Sequence, residues 1–267
     1  MPSPQIPSVK PPALRAGDTI GIVAPASNIQ RPLLEAGCAA LRDLGYNLVF
    51  SESILERDLY FAGSLDRRTR ELEEMFERSD VRAILCARGG YGCNYLLSTL
   101  NLAKIKANPK IFVGYSDITT LLTWITDSTG LVTFHGPMVT KDFAIAGGVD
   151  SSSWVNAVFS MSEWKLDLGP DSGVSPLVEG AGSGILYGGC LSMLAASLGT
   201  PYEIHTKNTI LFIEDLATKP YQIDRMLMQL KLAGKFVGVR GIVFGEMVEC
   251  HQPVSYTHLT LPTILRV

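Results

Sequence analysis

The sequence is poor in cysteine, and its cysteines lack the spacing of a disulfide framework or a zinc site. There are five in 267 residues, an odd number at low density, and no C-x-x-C pair occurs among them. This excludes a small disulfide-stabilised secreted scaffold and provides no cluster of metal ligands. Reduced thiols, as in a cytoplasmic protein, are the simplest interpretation, and no metal site is expected.

Long apolar runs and a strong excess of either charge are also missing. The formal net charge is −3, with 46% hydrophobic and 18% charged residues. This charge gives no electrostatic reason to expect nucleic acid or a membrane surface as a partner. The apolar runs are too short or too interrupted to span a bilayer, and residues 1–7 lack the charged start and apolar block of a signal peptide. The composition is that of a soluble globular protein long enough for a large core.

Strand-like and helix-like segments alternate through the first half of the chain. Strands are predicted over residues 18–26, 47–50, 81–86 and 110–114, and helices over residues 37–44, 66–78, 91–100 and 117–126. This alternation predicts a parallel sheet with right-handed crossovers. Residues that follow such strands meet at the carboxyl edge of the sheet, where α/β proteins bind their ligands.

The pattern changes after about residue 145, which favours a second domain. Further strands are predicted over residues 184–187, 209–213 and 241–244, and helices over residues 154–161, 191–198 and 221–232. We therefore expect an α/β protein with a parallel-sheet, flavodoxin-like N-terminal domain over residues 1–150. A linker, 151–175, would join it to a smaller, incomplete C-terminal α/β domain over residues 176–253.

The most informative segment is KIFVGYSDIT, residues 110–119. A β-like run stops at Gly114, Ser116 follows, and Asp117 opens a helix-like segment. A serine on a sharp turn from strand to helix is how hydrolases present a nucleophile, and the helix N-terminus favours negative charge beside it. The motif is G-x-S-x-T and not the G-x-S-x-G of the α/β-hydrolases. The alternative is that Ser116 or Asp117 is only a helix N-cap.

Two other strand-like runs end in residues that suit the same chemistry. The sequence RGGYG, residues 88–92, follows one run, and its glycines would let the backbone approach a substrate closely, although a tight turn explains them as well. Arg88 could bind a substrate carboxylate or form an ion pair within the fold. Glu214 in FIEDL, residues 212–216, could orient a catalytic base, or it could belong to a structural ion pair or a helix cap.

Three β-like runs that end in RGGYG, GYSD and FIEDL, in this order, resemble the LD-carboxypeptidases, a family of serine peptidases. Further similar segments are LRAGDTIGIVAPAS at residues 14–27, HGPM at 135–138, and YGGCL at 187–191 with GTP at 199–201. The resemblance covers about residues 10–250. The ordered set of motifs is more specific than any one of them.

The resemblance implies a role for several of these residues. Ser116 would be the nucleophile and Glu214 would orient a catalytic histidine, while the backbone N–H groups of Gly90 and Asp117 would hold the oxyanion. Substrate contacts would come from a further set: Arg88, Tyr91, Gly188 and Gly189. No metal or organic cofactor is implied, and a homodimer is expected by resemblance only.

The implied reaction is hydrolysis of an L–D peptide bond in a murein tetrapeptide, with release of terminal D-alanine, by a cytoplasmic enzyme. Its partner would be a small peptide or muropeptide. Two alternatives stay open. One is amide hydrolysis of a microcin-C-like peptidyl nucleotide, as in immunity proteins that share the family, and the other is a non-catalytic muropeptide-binding protein or inactive fragment. Cys190 stands where the family often has asparagine, which would fit a different substrate preference.

The catalytic histidine is not found by the motifs. In the family it lies in a Gly-His element beyond the FIED-like strand, and no Gly-His pair occurs here. His258 is the candidate by position, but residues 254–267 look like a foreign tail. On that interpretation the true histidine is missing, and we expect the chain as written to have low solubility and no peptidase activity.

Overall fold

The computed structural model describes residues 7–159 and 174–250, and the chain divides into two compact units, residues 1–164 and 165–267. The N-terminal unit is built on a parallel sheet of β1 (Thr19–Val23), β2 (Asn47–Val49), β3 (Val81–Cys86), β4 (Ile111–Gly114) and β5 (Phe134–His135). The strands lie in the order β2-β1-β3-β4-β5. This is the order of doubly wound, flavodoxin-like sheets, so the predicted fold of this domain is confirmed.

Helices connect the strands of the N-terminal unit. They are α1 (Arg31–Asp43), α2 (Leu65–Glu77), α3 (Cys93–Leu96), α4 (Leu102–Ala107), α5 (Thr119–Thr129) and α6 (Ser151–Phe159). The helix predicted over residues 66–78 is α2, which Ser64 caps by accepting a hydrogen bond from the Arg67 N–H. Its buried face includes Leu72 and Phe76.

Local predictions fail where elements are very short. Residues 91–100 form one turn of helix, α3, and not a long helix, because Asn101 begins α4 by accepting a hydrogen bond from the Ala103 N–H. The sequence also gave no prediction of α4, of the two-residue strand β5, or of a π-helical turn over Val139–Phe143. Strands and turns of this length contain too few residues to show a period.

The C-terminal unit has a smaller parallel sheet, which confirms the predicted second α/β domain. Its strands β6 (Ile185–Cys190), β7 (Thr209–Leu216) and β8 (Gly241–Val248) lie in the order β6-β7-β8, with helices α7 (Leu191–Ala196) and α8 (Pro220–Leu232). Side chains of β7 alternate between a buried face, with Leu211 and Ile213, and a half-buried face, with Phe212 and Glu214. The core of this unit includes Leu191, Leu194, Leu211, Ile213, Ile223, Leu227 and Leu230.

The segment predicted as a linker, residues 151–175, begins with α6. Trp154 of this helix is buried and packs edge-on against Phe143, with 5.3 Å between the ring centroids. Residues 160–173 and the predicted foreign tail, 254–267, lie outside the described residues. Within the described ranges, no helix combines the length and apolar character needed to cross a bilayer.

Candidate active site

The turn between β4 and α5 presents Ser116 in a strained conformation. Tyr115 is extended, with φ −152°, and Ser116 then adopts φ +61° and begins a 3₁₀ turn that ends at Ile118. A residue with a side chain is uncommon at positive φ, and such strain collects at functional sites. Ser116 is half-buried, at the carboxyl edge of the sheet. The sequence predicted this sharp strand-to-helix turn.

The loop after β3 lies directly against this serine. A Cβ placed on Gly89 would be 3.0 Å from the Ser116 Cβ and 3.2 Å from its Oγ. Contacts this close leave little room for any side chain at position 89. The RGGYG and GYSD segments therefore meet, as expected for residues that follow neighbouring parallel strands.

Ser27, just beyond β1, is a residue to which sequence reasoning gave no role. Its Oγ accepts a hydrogen bond of 3.0 Å from the Tyr91 N–H, and its own N–H donates one of 3.3 Å to the Gly89 carbonyl. Gly90, at φ +108°, packs on it so closely that a Cβ there would be 2.3 Å from the Ser27 Oγ. The glycine at position 90 is thus explained by the fit to Ser27. The sequence signals were the position of Ser27 just beyond the first strand and its place at the end of the family-like segment 14–27.

The side chain of Asp117 makes a structural hydrogen bond, in addition to any role of the Asp117 backbone. The carboxylate is 2% exposed, and its Oδ2 accepts a hydrogen bond of 2.8 Å from the Cys93 N–H at the start of α3. Burial raises the pKa of Asp117, and the hydrogen bonds with Cys93 and the nearby Arg68 guanidinium counteract part of this shift. Asp117 is thus not the N-cap of its own helix, since neither the 3₁₀ turn nor α5 has a side-chain cap; its carboxylate instead binds the first N–H of α3, a helix that is distant in sequence.

Arg88 and Tyr91 both lie on the surface of the N-terminal unit. Arg88 is exposed and donates a hydrogen bond of 3.3 Å to the carbonyl of Asn28. Tyr91 is 43% exposed and stacks on Phe61, with ring centroids 5.7 Å apart. The rings of Tyr60 and Tyr95 pack edge-on against the Tyr91 ring. Both predicted substrate-binding side chains thus belong to the loop that contacts Ser116.

In the C-terminal unit, Glu214 and Asp215 end β7 and point to opposite faces of the strand. Asp215 is 3% exposed, and its Oδ2 accepts hydrogen bonds from the N–H and hydroxyl of Ser192, at 2.9 and 2.7 Å. Asp215 therefore anchors the start of α7. Glu214 is half-buried, and burial, together with the adjacent Asp215 charge, raises its pKa to about 7. Carboxyl groups that ionise near neutral pH are frequent at catalytic sites.

The glycines of β6 are required by the sheet itself. Gly188 has φ +133°, and a Cβ there would be 2.0 Å from the Phe212 carbonyl oxygen on β7. Gly189 has φ +146°. The next residue, Cys190, is buried, and burial together with the Asp215 and Glu214 carboxylates raises the pKa of its thiol to about 12. Cys190 is therefore a thiol at neutral pH and is not an activated nucleophile.

Among the described residues, no group of three or more His, Cys, Asp or Glu side chains is arranged to hold a metal ion. Two of the four histidines lie in the described ranges: His135 at the end of β5, near Tyr115, and His205 in the C-terminal unit. His251 and His258 lie outside those ranges.

Comparisons with known proteins match both units of the chain to one family. A family model described as the LD-carboxypeptidase N-terminal domain matches residues 20–136, and one described as the LD-carboxypeptidase C-terminal domain matches residues 183–266. A probable murein peptide carboxypeptidase of Bacillus subtilis (strain 168) is 40% identical over 259 residues, which are 96% of this chain and 80% of that protein. The murein tetrapeptide carboxypeptidase of Pseudomonas aeruginosa is 30% identical over 86% of this chain and 77% of its own length. The structure of MccF in complex with glutamyl sulfamoyl guanosine is similar with a TM-score of 0.81 and 25% identity, over 94% of this chain and 83% of that one.

Proposed function

The chain belongs to the LD-carboxypeptidase family, and from this membership we propose that it is a serine-type enzyme that hydrolyses the L–D peptide bond of a murein tetrapeptide. The products are a tripeptide and D-alanine. The observation that carries the proposal is the strained φ of +61° at Ser116, on a turn packed against Gly89. The five cysteines, all free and buried, support a reducing, cytoplasmic setting. A homodimer stays an expectation of the family resemblance.

In this mechanism Ser116 Oγ attacks the carbonyl carbon of the scissile bond while a base takes its proton. The C–N bond then breaks, the proton passes to the amine of the departing D-alanine, and an acyl ester stays on Ser116. Water hydrolyses that ester and restores the hydroxyl. The base is a histidine that Glu214 orients, and His258 is its candidate by position. The match to the C-terminal domain model runs over residues 183–266 and so includes His258. This supports a tail that belongs to the family, and the proposal therefore replaces the expectation, stated from the sequence, that residues 254–267 are foreign and the chain inactive.

The negative charge that forms on the substrate carbonyl oxygen needs fixed donors. We assign this role to the backbone N–H groups of Gly90 and Asp117. Two contacts support the assignment: Gly89 packs on Ser116, and the Asp117 carboxylate accepts a hydrogen bond from the Cys93 N–H. Both tie the loop after β3 to the turn that carries the nucleophile.

Substrate binding is assigned to two side chains of the N-terminal unit and to two glycines of the C-terminal unit. Arg88 is an exposed guanidinium on the loop that contacts Ser116, and such a group suits the terminal carboxylate of a peptide. Tyr91 offers an exposed aromatic face on the same loop. In the C-terminal unit, the backbone of Gly188 and Gly189 would contact the peptide.

A second candidate is hydrolysis of an amide in a peptidyl nucleotide analogue. The observation that favours it is the similarity to MccF in complex with glutamyl sulfamoyl guanosine. Cys190, in place of the asparagine common in the family, is the residue at which a change of substrate preference would be tested. The chemistry at Ser116 is the same for both candidates.

The test is a digest of two substrates by the purified chain. Murein tetrapeptide and glutamyl sulfamoyl guanosine are incubated separately, and the products are read by mass spectrometry. The main proposal predicts loss of one terminal D-alanine from the tetrapeptide and slower cleavage of the nucleoside conjugate. Preferential cleavage of the conjugate would favour the second candidate. Binding of the tetrapeptide without cleavage would support a non-catalytic binding protein.

A further inference from the structure

Ser27 joins the loop after β1 to the loop after β3 on both sides of Gly90. Its Oγ accepts the Tyr91 N–H at 3.0 Å, and its N–H donates to the Gly89 carbonyl at 3.3 Å. These strands are neighbours in the sheet, yet the two loops are 64 residues apart in sequence. In a sheet with the strand order β2-β1-β3-β4-β5, β1 and β3 flank the crevice at the point where the strand order reverses.

Ser27 also limits the conformation of Gly90 by direct contact. A Cβ on Gly90 would be 2.3 Å from the Ser27 Oγ and 2.7 Å from its Cβ. Glycine is the residue with the greatest backbone freedom, and Gly90 is held at φ +108°. Two hydrogen bonds and one close contact therefore fix a segment that would otherwise be among the most mobile of the loop.

The opposite side of the same segment faces the nucleophile. Gly89 packs on Ser116, with 3.0 Å from its ideal Cβ to the Ser116 Cβ. The backbone of residues 89–91 is thus in contact with Ser27 on one side and with Ser116 on the other. Any loosening of the contact with Ser27 would change where the Gly90 N–H points relative to Ser116.

We infer that Ser27 is a positioning residue, which holds the backbone of residues 89–91 so that the Gly90 N–H meets the oxyanion formed when Ser116 attacks. This inference rests on the proposed function. Ser27 acts through Gly90 and not through the substrate. Removal of the Ser27 hydroxyl should therefore weaken stabilisation of the transition state while leaving the affinity for the substrate intact.

The test compares Ser27→Ala with Ser51→Ala. Ser51 is a matched control, because it is a half-buried serine of the same unit whose Oγ also accepts a backbone N–H, from Ser53 at 3.3 Å. For Ser27→Ala we expect kcat on murein tetrapeptide to fall about 10-fold, less than the loss from deleting an oxyanion donor outright, with KM changed less than about 2-fold. Hydrogen exchange, measured by mass spectrometry, should become faster in peptides that cover residues 89–91. Ser51→Ala should show neither change.

The two readouts separate a failure of this inference from a failure of the proposed function. Unchanged exchange at residues 89–91 in Ser27→Ala overturns the positioning role, whether or not the protein cleaves tetrapeptide. Faster exchange with unchanged kcat, or a rise in KM alone, also overturns it. If Ser116→Ala retains full activity, the proposed function is wrong, while the exchange result still decides whether Ser27 fixes the loop.

Discussion

Two adjacent carboxylates at the end of β7 differ in what surrounds them. Asp215 accepts hydrogen bonds through both oxygens, from Ser192 and from the Leu216 N–H and the Thr218 hydroxyl, and is buried. Glu214, on the other face of the strand, has its pKa raised to about 7 by burial and by the neighbouring charge. The hydrogen bonds of Asp215 therefore give it a structural role, and Glu214 is the carboxylate that we propose as the group that orients the base.

Glu214→Gln keeps the shape of the side chain and removes its charge. Because a carboxylate stabilises the imidazolium that forms in the transition state, turnover should fall on the order of 10³-fold or more.

In the unmodified protein, kcat should also decrease as the pH falls below about 7, where Glu214 takes up a proton. Steady-state kinetics between pH 5 and pH 9 would check both; a variant with normal turnover would make Glu214 a structural residue.

The same carboxyl predicts a pH dependence of stability. Its folded-state pKa is about 7, above the usual 4.5, so its contribution to folding is largest below pH 4.5 and is lost as the pH rises through 7. Glu214→Gln cannot ionise and should gain stability relative to the unmodified protein at pH 8, with the difference shrinking towards pH 4.5. Denaturant unfolding at several pH values measures this. A difference that grows towards low pH would contradict the pKa shift.

Asp117 gives a residue-level prediction in the N-terminal unit. Asp117→Ala leaves the buried Cys93 N–H without its acceptor and should reduce the free energy of unfolding by about 1–3 kcal/mol. Asp117→Asn keeps an acceptor oxygen and should cost less, because burial already disfavours the charged form. Equal losses in the two variants, measured by denaturant unfolding, would show that charge and not hydrogen bonding is what matters there.

At the level of elements, segments with a clear period or a bounded apolar run were predictable, and several of the shortest ones were not. Helix α2 was identified because its apolar residues show a helical period, and strands β3 and β4 because each is an apolar run followed by a glycine-containing turn motif. Strand β5 and the π-helical turn over Val139–Phe143 were missed because they are held by contacts with distant segments. The Thr140 N–H and hydroxyl, for example, both donate to the Ala87 carbonyl, 53 residues away.

Strand β6 depends on the absence of a side chain at Gly188. Gly188→Ala would bring a Cβ to 2.0 Å from the Phe212 carbonyl and force alanine into φ +133°. Strain and overpacking together should cost about 3 kcal/mol or more, which would separate β6 from β7. Gly180→Ala is the control, because nothing lies within 4 Å of its ideal Cβ. If the two variants unfold at the same denaturant concentration, the close packing of β6 on β7 is not as described.

At the level of the whole molecule, sequence motifs suggested the groups that we propose for the site but did not indicate the contacts that hold them. Gly90 and Ser116 follow the ends of β3 and β4, and Glu214 lies near the end of β7, so their motifs could be found from their order along the chain. Ser27 and the side-chain role of Asp117 could not be found, because their partners are 64 and 24 residues away. Such contacts depend on the strand order, which a single sequence does not specify.

The proposed chemistry needs no metal at any step. Among the described residues no metal-holding group of His, Cys, Asp or Glu is present, and a serine nucleophile with a histidine base is sufficient for acyl transfer. Incubation with EDTA should leave tetrapeptide hydrolysis unchanged. Loss of activity that zinc restores would instead indicate a metallopeptidase.

The central claim is that Ser116 carries the reaction, and the most direct measurement is D-alanine release from murein tetrapeptide by the unmodified protein and by Ser116→Ala. Circular dichroism confirms that both are folded. We predict release by the unmodified protein and a rate at least about 10³-fold lower for Ser116→Ala, with tetrapeptide affinity retained. A folded Ser116→Ala protein that releases D-alanine at the unmodified rate, or an unmodified protein that releases none, would contradict the account.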